Sequence, residues 1–165
     1  MPSAAFDEHF MRMALREAEK AAADGEVPTG CVIVEEPEDF DMPPSSVRIL
    51  GRAHNQAEGL SDATAHAEML ALTAAFQARG NWRLVNTRLY VTKEPCPMCA
   101  GAIYKARIPK VVVGVIDRQQ GCLGGCLCLH TALRLYHRVS VEVEPLEDAC
   151  ERMLKTFFEL RRQRG

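Results

Sequence analysis

The 165-residue sequence has no long apolar run. No stretch approaches the roughly 20 apolar residues that span a bilayer, which excludes a transmembrane helix. The amino-terminal segment interrupts its apolar positions with acidic side chains such as Asp7, Glu8 and Glu17, so it lacks the core of a signal peptide. Internal repeats and low-complexity linkers are also missing, and this length suits one hydrophobic core. We expect one domain over residues 1–165, in the cytoplasm and without membrane contact.

The sequence also lacks an overall basic excess. Its net charge of −2 argues against a polyanionic partner, because nucleic-acid binding usually leaves a basic footprint. The charge is unevenly distributed, however. Glu35–Asp41 holds five acidic residues and no basic one, so the net charge of the remaining chain is −2 + 5 = +3. The tail concentrates Lys155, Arg161, Arg162 and Arg164. Two interpretations stay open at this point: a nucleic-acid contact, or a last helical turn that complements the helix dipole.

Hydrophobic periodicity predicts an α/β domain. Two neighbouring strands suggest an antiparallel hairpin that carries the acidic inserted loop 35–48, whose prolines argue against regular structure inside it. A later strand, helix and strand form a βαβ unit, which predicts parallel pairing. A further strand is predicted at a sheet edge. The predicted helices lie at about 7–24, 65–80, 95–107 and 147–163, and the strands at 27–34, 47–54, 88–93, 110–117 and 137–143.

The sequence has seven cysteines, which is an odd number, and five of them lie in the range from Cys96 to Cys128. Thiols in a reducing compartment serve packing, metal binding or catalysis rather than a disulfide framework. Cys96 and Cys99 form a CxxC at a predicted helix start, which places both thiols on one face and lowers their pKa. A redox pair, a pair of metal ligands and two buried structural cysteines all suit this spacing.

His66 favours the metal among these alternatives. It lies at the start of the preceding predicted helix, so an imidazole meets two thiolates if both helices begin at the same sheet edge. One His and two Cys leave the fourth tetrahedral position of Zn²⁺ open, as in catalytic sites. Glu68, in the first helical turn, could then act as a general acid and base. Its alternative role is a carboxylate that merely complements the helix dipole.

These motifs have a recognisable counterpart. HAE at His66–Glu68 with PCPMC at Pro95–Cys99 resembles the paired signature of the zinc deaminases that act on nucleobases. The sequence most resembles the bacterial tRNA-specific adenosine deaminases, the TadA family. Six features occur in the same order as in that family: VPTG, Asn55, DATAHAEMLAL, RLYVTKEPCPMCAGAIYKARIPKVVVG, HRV and FFELRRQ. Outside the acidic loop the resemblance covers most of the chain.

The resemblance implies a three-layer cytidine deaminase-like domain with a mixed five-stranded sheet and helices on both faces. It implies hydrolysis of adenosine to inosine at the wobble position of a tRNA anticodon stem-loop, by a homodimer with one Zn²⁺ per subunit. His66, Cys96 and Cys99 would bind zinc, and Glu68 would carry the proton. The implied substrate contacts are Asn55, Val27, Ala65, Pro95, Phe158, Arg161 and Arg162.

Two features leave other interpretations open. GAIY at Gly101–Tyr104 also occurs in deaminases of free purines such as guanine, and a non-catalytic zinc and RNA-binding subunit is a further alternative that the presence of Glu68 disfavours. The segment Gln119–His130 departs from the family pattern and adds Cys122, Cys126 and Cys128. We expect these cysteines to fill a core loop rather than form a second metal site. We expect the acidic loop to project at the sheet edge, away from RNA.

Overall fold

Helices and strands alternate along the chain in a computed structural model that describes residues 4–132, 137–143 and 146–165. The helices are α1 (Ala4–Ala23), α2 (Ala57–Leu60), α3 (Ala67–Arg79), α4 (Pro97–Lys105), α5 (Leu129–Ala132) and α6 (Glu147–Arg164). The strands are β1 (Gly30–Glu35), β2 (Ile49–His54), β3 (Thr87–Lys93), β4 (Lys110–Val115) and β5 (Ser140–Val143).

The five strands form one mixed sheet in the order β2-β1-β3-β4-β5. Strand β1 pairs antiparallel with both β2 and β3, whereas β4 pairs in parallel with β3 and β5. The predicted antiparallel hairpin, the parallel βαβ unit and the edge position of the last strand are therefore confirmed. Because β1 runs against its two neighbours, β2, β3 and β4 all end at the same edge of the sheet.

Both faces of the sheet are covered, which confirms the predicted three layers. Alternate residues of β1 point to opposite sides: Cys31 and Ile33 join one core cluster, whereas Val32 and Val34 join the other. Helices α3 and α4 contribute to the first cluster, and α1 and α6 to the second. The β-branched residues of these strands suit such double burial.

Helix α1 packs unusually close to the sheet. A Cβ on Gly30 would overlap the Ala14 carbonyl group and lie 2.7 Å from the Ala18 amide nitrogen. Glycine at the first residue of β1 therefore lets two backbones touch. The contact fixes the segment between α1 and β1, which supplies one wall of the site described below.

The predicted strand at 27–34 begins too early. The structure starts β1 at Gly30, and the Thr29 amide instead donates to the Val27 carbonyl at 2.8 Å. Pro28 has no N–H to give to a ladder, so a tight turn replaces the first strand residues. Val27 and Thr29 are thereby released from the sheet to line a cavity.

The acidic loop is more ordered than its prolines suggested. Pro44–Ser46 forms a short 3₁₀ helix, which proline permits in a first turn. Phe40 packs edge-on against Phe6 with ring centroids 5.2 Å apart, and the Arg88 guanidinium lies 4.9 Å from the Phe40 ring centroid. The loop is therefore anchored on α1 and β3 rather than simply projecting. In the described parts of the chain, no helix has the length and apolar character to cross a membrane.

Candidate active site

The site lies at the sheet edge where β2, β3 and β4 end. Helix α4 begins four residues after β3, and α3 begins at the same edge after the short α2. His66 and Cys96 are the N-cap residues of α3 and α4, each with an extended backbone. Their side chains are directed toward each other because the two helices start side by side. The condition that the sequence left open for a shared site is therefore met.

His66, Cys96 and Cys99 form a compact cluster whose ligand atoms all lie within 4.8 Å of one another. His66 Nδ1 is 3.6 Å from Cys96 Sγ and 3.5 Å from Cys99 Sγ. Tetrahedral Zn²⁺ with ordinary bond lengths would separate a nitrogen and a sulfur ligand by about 3.6 Å. The donor set and its spacing therefore fit zinc. It is the one such cluster in the portion of the chain that the structure describes.

The two thiols of this cluster differ in acidity. The Cys99 thiol donates to Cys96, and this bond, with backbone amides of α4, lowers the pKa of Cys96 to about 5 despite partial burial. The pKa of Cys99 is raised far above its usual value, because its hydrogen bond to Cys96 favours the protonated form and burial adds to the effect. The hydrogen bond between them therefore favours a thiolate at Cys96 and a protonated thiol at Cys99. A metal ion that binds both thiolates must displace the second proton.

Glu68 lies in the first turn of α3 and is only 3% exposed. Burial raises the pKa of its carboxyl group, because desolvation disfavours the charged form. It lines the same cavity as His66 and Cys96. A buried carboxyl group with a raised pKa, beside a metal-binding cluster, is suited to accept a proton and return it. The first-turn position that the sequence analysis required for Glu68 is therefore present.

A cavity of about 200 Å³ opens beside the cluster. This is smaller than the roughly 300–1,000 Å³ of typical drug-sized ligand pockets, so a single base suits it better than a whole nucleotide. Two of the predicted substrate contacts, Asn55 and Val27, line it. The full lining consists of Val27, Thr29, Asn55, His66, Glu68, Lys93, Glu94, Cys96 and Gln120.

Ala65 and Pro95 do not line this cavity, although each is the chain neighbour of a residue that does. Both are buried, and their carbonyl groups already accept hydrogen bonds within the protein. Ala65 accepts from the Gln56 amide at 3.0 Å, and Pro95 accepts from the Cys122 amide at 2.9 Å. These hydrogen bonds connect the segments that form the cavity walls. The predicted contact of Ala65 and Pro95 with the substrate stays a prediction.

Glu26 was missed by the sequence analysis. Its side chain is almost fully enclosed, and its carboxylate accepts from Asn55 Nδ2 at 3.4 Å and from the amides of Glu58 and Gly59 at 3.2 and 2.7 Å. It thereby connects the segment before β1 to α2 and orients the Asn55 carboxamide. An acidic residue beside the turn-forming VPTG was the only sequence signal for it.

A larger groove of about 850 Å³ runs along α6. It contains the predicted RNA contacts Phe158, Arg161 and Arg162, and Phe158 is 42% exposed. On the opposite side the groove is lined by Arg118 and Lys93, and Lys93 also lines the cavity beside the metal cluster. The basic tail and the metal-binding cluster, far apart in sequence, therefore face adjacent spaces that share Lys93 as a lining residue.

The interpretation of the three additional cysteines was only partly right. Cys122 is buried, but Cys126 and Cys128 are exposed, so they do not fill a core. The reason is a tight turn in which Leu123 bridges to Cys128 and the Gly124 amide donates to the Leu127 carbonyl. This turn carries Cys126 and Cys128 at the surface. All seven cysteines of the chain, each within the described residues, are free thiols.

Comparison with known proteins agrees with this geometry. The model of a family described as the cytidine and deoxycytidylate deaminase zinc-binding region matches residues 4–115. The tRNA-specific adenosine deaminase of Streptococcus pyogenes serotype M1 is 44% identical over 156 residues, which cover 94% of this chain and 85% of that protein. The chain belongs to the tRNA-specific adenosine deaminase family. It is accordingly a zinc-dependent deaminase, and the cluster described above supplies donors suited to that metal.

Solved structures of other deaminases have a similar fold. One, from a study of A-to-I editing by tRNA:A34 deaminases at the wobble position of transfer RNA, is 35% identical with a TM-score of 0.79 and covers 89% of this chain and 99% of that one. A guanine deaminase from Bacillus subtilis is 34% identical, but its TM-score is 0.55 and the match covers 64% of this chain and 62% of that one. This tRNA deaminase structure therefore matches more of the chain than the Bacillus subtilis guanine deaminase structure does.

Proposed function

We propose that the protein hydrolyses adenosine to inosine at the wobble position of a tRNA anticodon, and that residues 1–165 act as one deaminase domain. The observation that carries this proposal is that two adjacent spaces share Lys93 as a lining residue. One is a base-sized cavity beside His66, Cys96 and Cys99, and the other is the open basic groove along α6. An enzyme for a free purine would need the cavity but not the groove.

Beside the cavity we assign His66, Cys96 and Cys99 to bind Zn²⁺. When bound, the metal lowers the pKa of water enough to supply a nucleophile at neutral pH. Glu68 takes a proton from the attacking water and gives it to N1 of the base. It then takes the proton of the new hydroxyl group at C6 and gives it to the leaving amine, so that the carbonyl forms and ammonia departs. Its burial keeps bulk water from competing for that proton. Asn55, held by Glu26, orients the base, and Val27 forms the facing wall.

For the RNA strand we assign the groove along α6. Target bases for such chemistry must leave their stack, and unpaired anticodon loops make this inexpensive. Phe158 offers an exposed ring for stacking, and Arg161 and Arg162 offer charge for phosphates. Neither the acidic loop 35–48 nor its anchor Phe40 is among the lining residues of these spaces, so the loop's charge is set apart from the proposed RNA path.

We also propose that the protein is a homodimer in the cytoplasm. A mainly apolar depression of about 340 Å³ between α3 and α4 is lined by Met69, Leu72, Phe76 and Trp82, and Trp82 is 49% exposed. A second copy would remove this apolar surface from water. The free state of all seven thiols suits a reducing compartment. Light scattering on purified protein tests the dimer.

The function is tested with a synthetic anticodon stem-loop. We expect mass spectrometry to show a gain of about one dalton, the change from amine to carbonyl, in RNA with adenosine at the wobble position. RNA with guanosine there should not react. Conversion of free guanine or free adenosine at comparable kcat/KM, or no conversion of the stem-loop by zinc-loaded protein, would contradict the proposal.

Glu68→Ala separates an enzyme from a binding subunit. Loss of a positioned general acid and base should lower kcat by about 10²–10⁴. Zinc content and the far-ultraviolet circular dichroism spectrum should stay as in the wild type, because Glu68 lies outside the cluster of ligand atoms. If Glu68→Ala kept full turnover, the proposed proton transfer would be wrong.

A further inference from the structure

Glu94 is a buried carboxylate that the proposed mechanism does not use. It is 3% exposed and lies directly after β3, two residues before the proposed zinc ligand Cys96. It does not belong to the cluster of candidate metal ligands. Burying a carboxylate is costly unless hydrogen bonds replace its water. The groups that satisfy Glu94 therefore indicate its role.

Those groups are backbone amides of one segment, the turn 117–125 that follows β4. Glu94 Oε2 accepts from the Asp117 amide at 2.8 Å, and Oε1 accepts from the amides of Leu123 and Gly125, both at 2.8 Å. Charge-assisted hydrogen bonds of this length are among the stronger ones in proteins. One side chain thus holds both ends of a nine-residue turn.

The glycines of the turn show how closely it wraps around this carboxylate. A Cβ at Gly121 or Gly125 would overlap Glu94 Oε2 and the carbonyl oxygen of Asp117. No larger residue fits at either position without displacing the carboxylate. Gly121 and Gly125 are therefore explained by the close approach to Glu94.

The turn presents side chains to both parts of the proposed substrate path. Gln120 lines the cavity beside the metal cluster, whereas Arg118 and Gln119 line the groove along α6. The Asp117 carboxylate accepts from the amides of Gln119 and Gln120 at 2.9 and 3.2 Å, and it pairs with Lys93 Nζ at 2.8 Å. The position of these residues thus depends on Asp117, whose amide Glu94 binds.

We propose that Glu94 is a positioning residue that holds the turn 117–125 as an RNA-binding element between the cavity and the groove. It acts through Arg118, Gln119 and Gln120 and touches no reacting atom. The inference rests on the proposed function, because it assigns part of the substrate path of that same site. Loosening the turn should weaken RNA binding while the metal cluster and Glu68 remain in place.

The test compares Glu94→Ala and Glu94→Gln with the wild type on the stem-loop, well below each protein's melting temperature. For Glu94→Ala we expect KM to rise about tenfold while kcat changes less than about threefold, the pattern of lost binding rather than lost chemistry. Glu94→Gln should lie between, since its carbonyl oxygen can still accept from Leu123 and Gly125 while its NH₂ group faces the Asp117 amide. Zinc content should not change in either variant.

Limited trypsin digestion reports on the turn without RNA. Mass spectrometry should detect faster cleavage after Arg118 in Glu94→Ala than in the wild type. Asp7→Asn is the matched control, because Asp7 is a partly buried carboxylate that binds Tyr90 and Arg88 away from both spaces. It should lower stability without changing KM or cleavage after Arg118.

Three results would overturn the role of Glu94: an unchanged KM in both variants, unchanged cleavage after Arg118, or loss of zinc, which would place Glu94 in the metal site. A wild-type protein inactive on the stem-loop would instead contradict the proposed function. The trypsin comparison would then still decide whether Glu94 holds the turn.

Discussion

The salt dependence of RNA binding gives a quantitative test of the groove along α6. Five cations line it: Lys93, Arg118, Lys155, Arg161 and Arg162. Two of them are compensated, since Lys93 pairs with Asp117 at 2.8 Å and Lys155 pairs with Glu151 at 3.0 Å. Within the residues that the structure describes, the three arginines have no acidic partner and are therefore available for phosphates.

The expected size of the effect follows from this number. Each phosphate contact with single-stranded RNA contributes about −0.7 to the slope of log K against log salt, so three contacts give about −2.1. Raising the salt from about 50 to 200 mM should then weaken binding about 18-fold. In the double variant Arg161→Gln/Arg162→Gln the slope should fall to about −0.7 and the same change in salt should cost about threefold.

The assay is fluorescence anisotropy of a labelled anticodon stem-loop, with Glu68→Ala as the parent to prevent turnover. Arg16→Gln/Arg83→Gln is the control, since both arginines are exposed and line neither the cavity nor the groove. The control should keep the parental slope. An equal loss of slope in both double variants, or no loss in Arg161→Gln/Arg162→Gln, would refute the assignment of the groove to RNA.

Three further predictions concern the metal, packing and acid stability. Cys96→Ala should lose zinc on dialysis, because only two of three protein ligands remain, and elemental analysis checks this. Gly114→Ala should destabilise the fold by about 1–3 kcal/mol, seen as a lower melting temperature, since the new Cβ would lie 2.5 Å from Cys150 Sγ and 2.7 Å from the Thr92 carbonyl oxygen. Burial tends to raise the pKa of Asp117, but bonds from Lys93 and backbone amides outweigh it and lower the pKa below its usual value. The pKa of Asp117 in the folded protein lies below its pKa in the unfolded chain. The stabilisation that the Asp117 carboxylate contributes is therefore present above the unfolded value of about 3.9 and is lost as pH falls through the folded value. In Asp117→Asn, the free energy of unfolding should therefore decrease less steeply with acid over this pH range.

Local sequence patterns were enough to predict the residues of the candidate metal cluster and Glu68. Cys96 and Cys99 are three residues apart, so their spacing already predicted that both thiols share one helix face. Glu68 does not share a face with His66, and its role depended on its position in the first helical turn. Helix starts are signalled by nearby residues such as Pro97, which is why the N-terminal positions of these groups could be predicted. The first residues of the strand at 27–34 were wrong because propensity outweighed the missing N–H of Pro28.

Long-range contacts could not be predicted in the same way. Glu26 and Glu94 bind amides 32 and 31 residues away along the chain, and a backbone amide carries no signal in a sequence. Either residue would pass for an ordinary surface acid. The exposure of Cys126 and Cys128 also depends on a turn whose shape is set by partners outside it.

The sequence by itself determined the long helices, the strands apart from the first residues of β1, and the candidate zinc ligands with Glu68 beside them, because each depends on local pattern and spacing. Only the tertiary structure decided that these groups meet. Strand β1 runs antiparallel to β2 and β3, so both neighbours end at one edge and deliver His66 and Cys96 to the same place. The parallel pairing of β4 with β3 brings the turn 117–125 to that edge as well, where Glu94 can bind it.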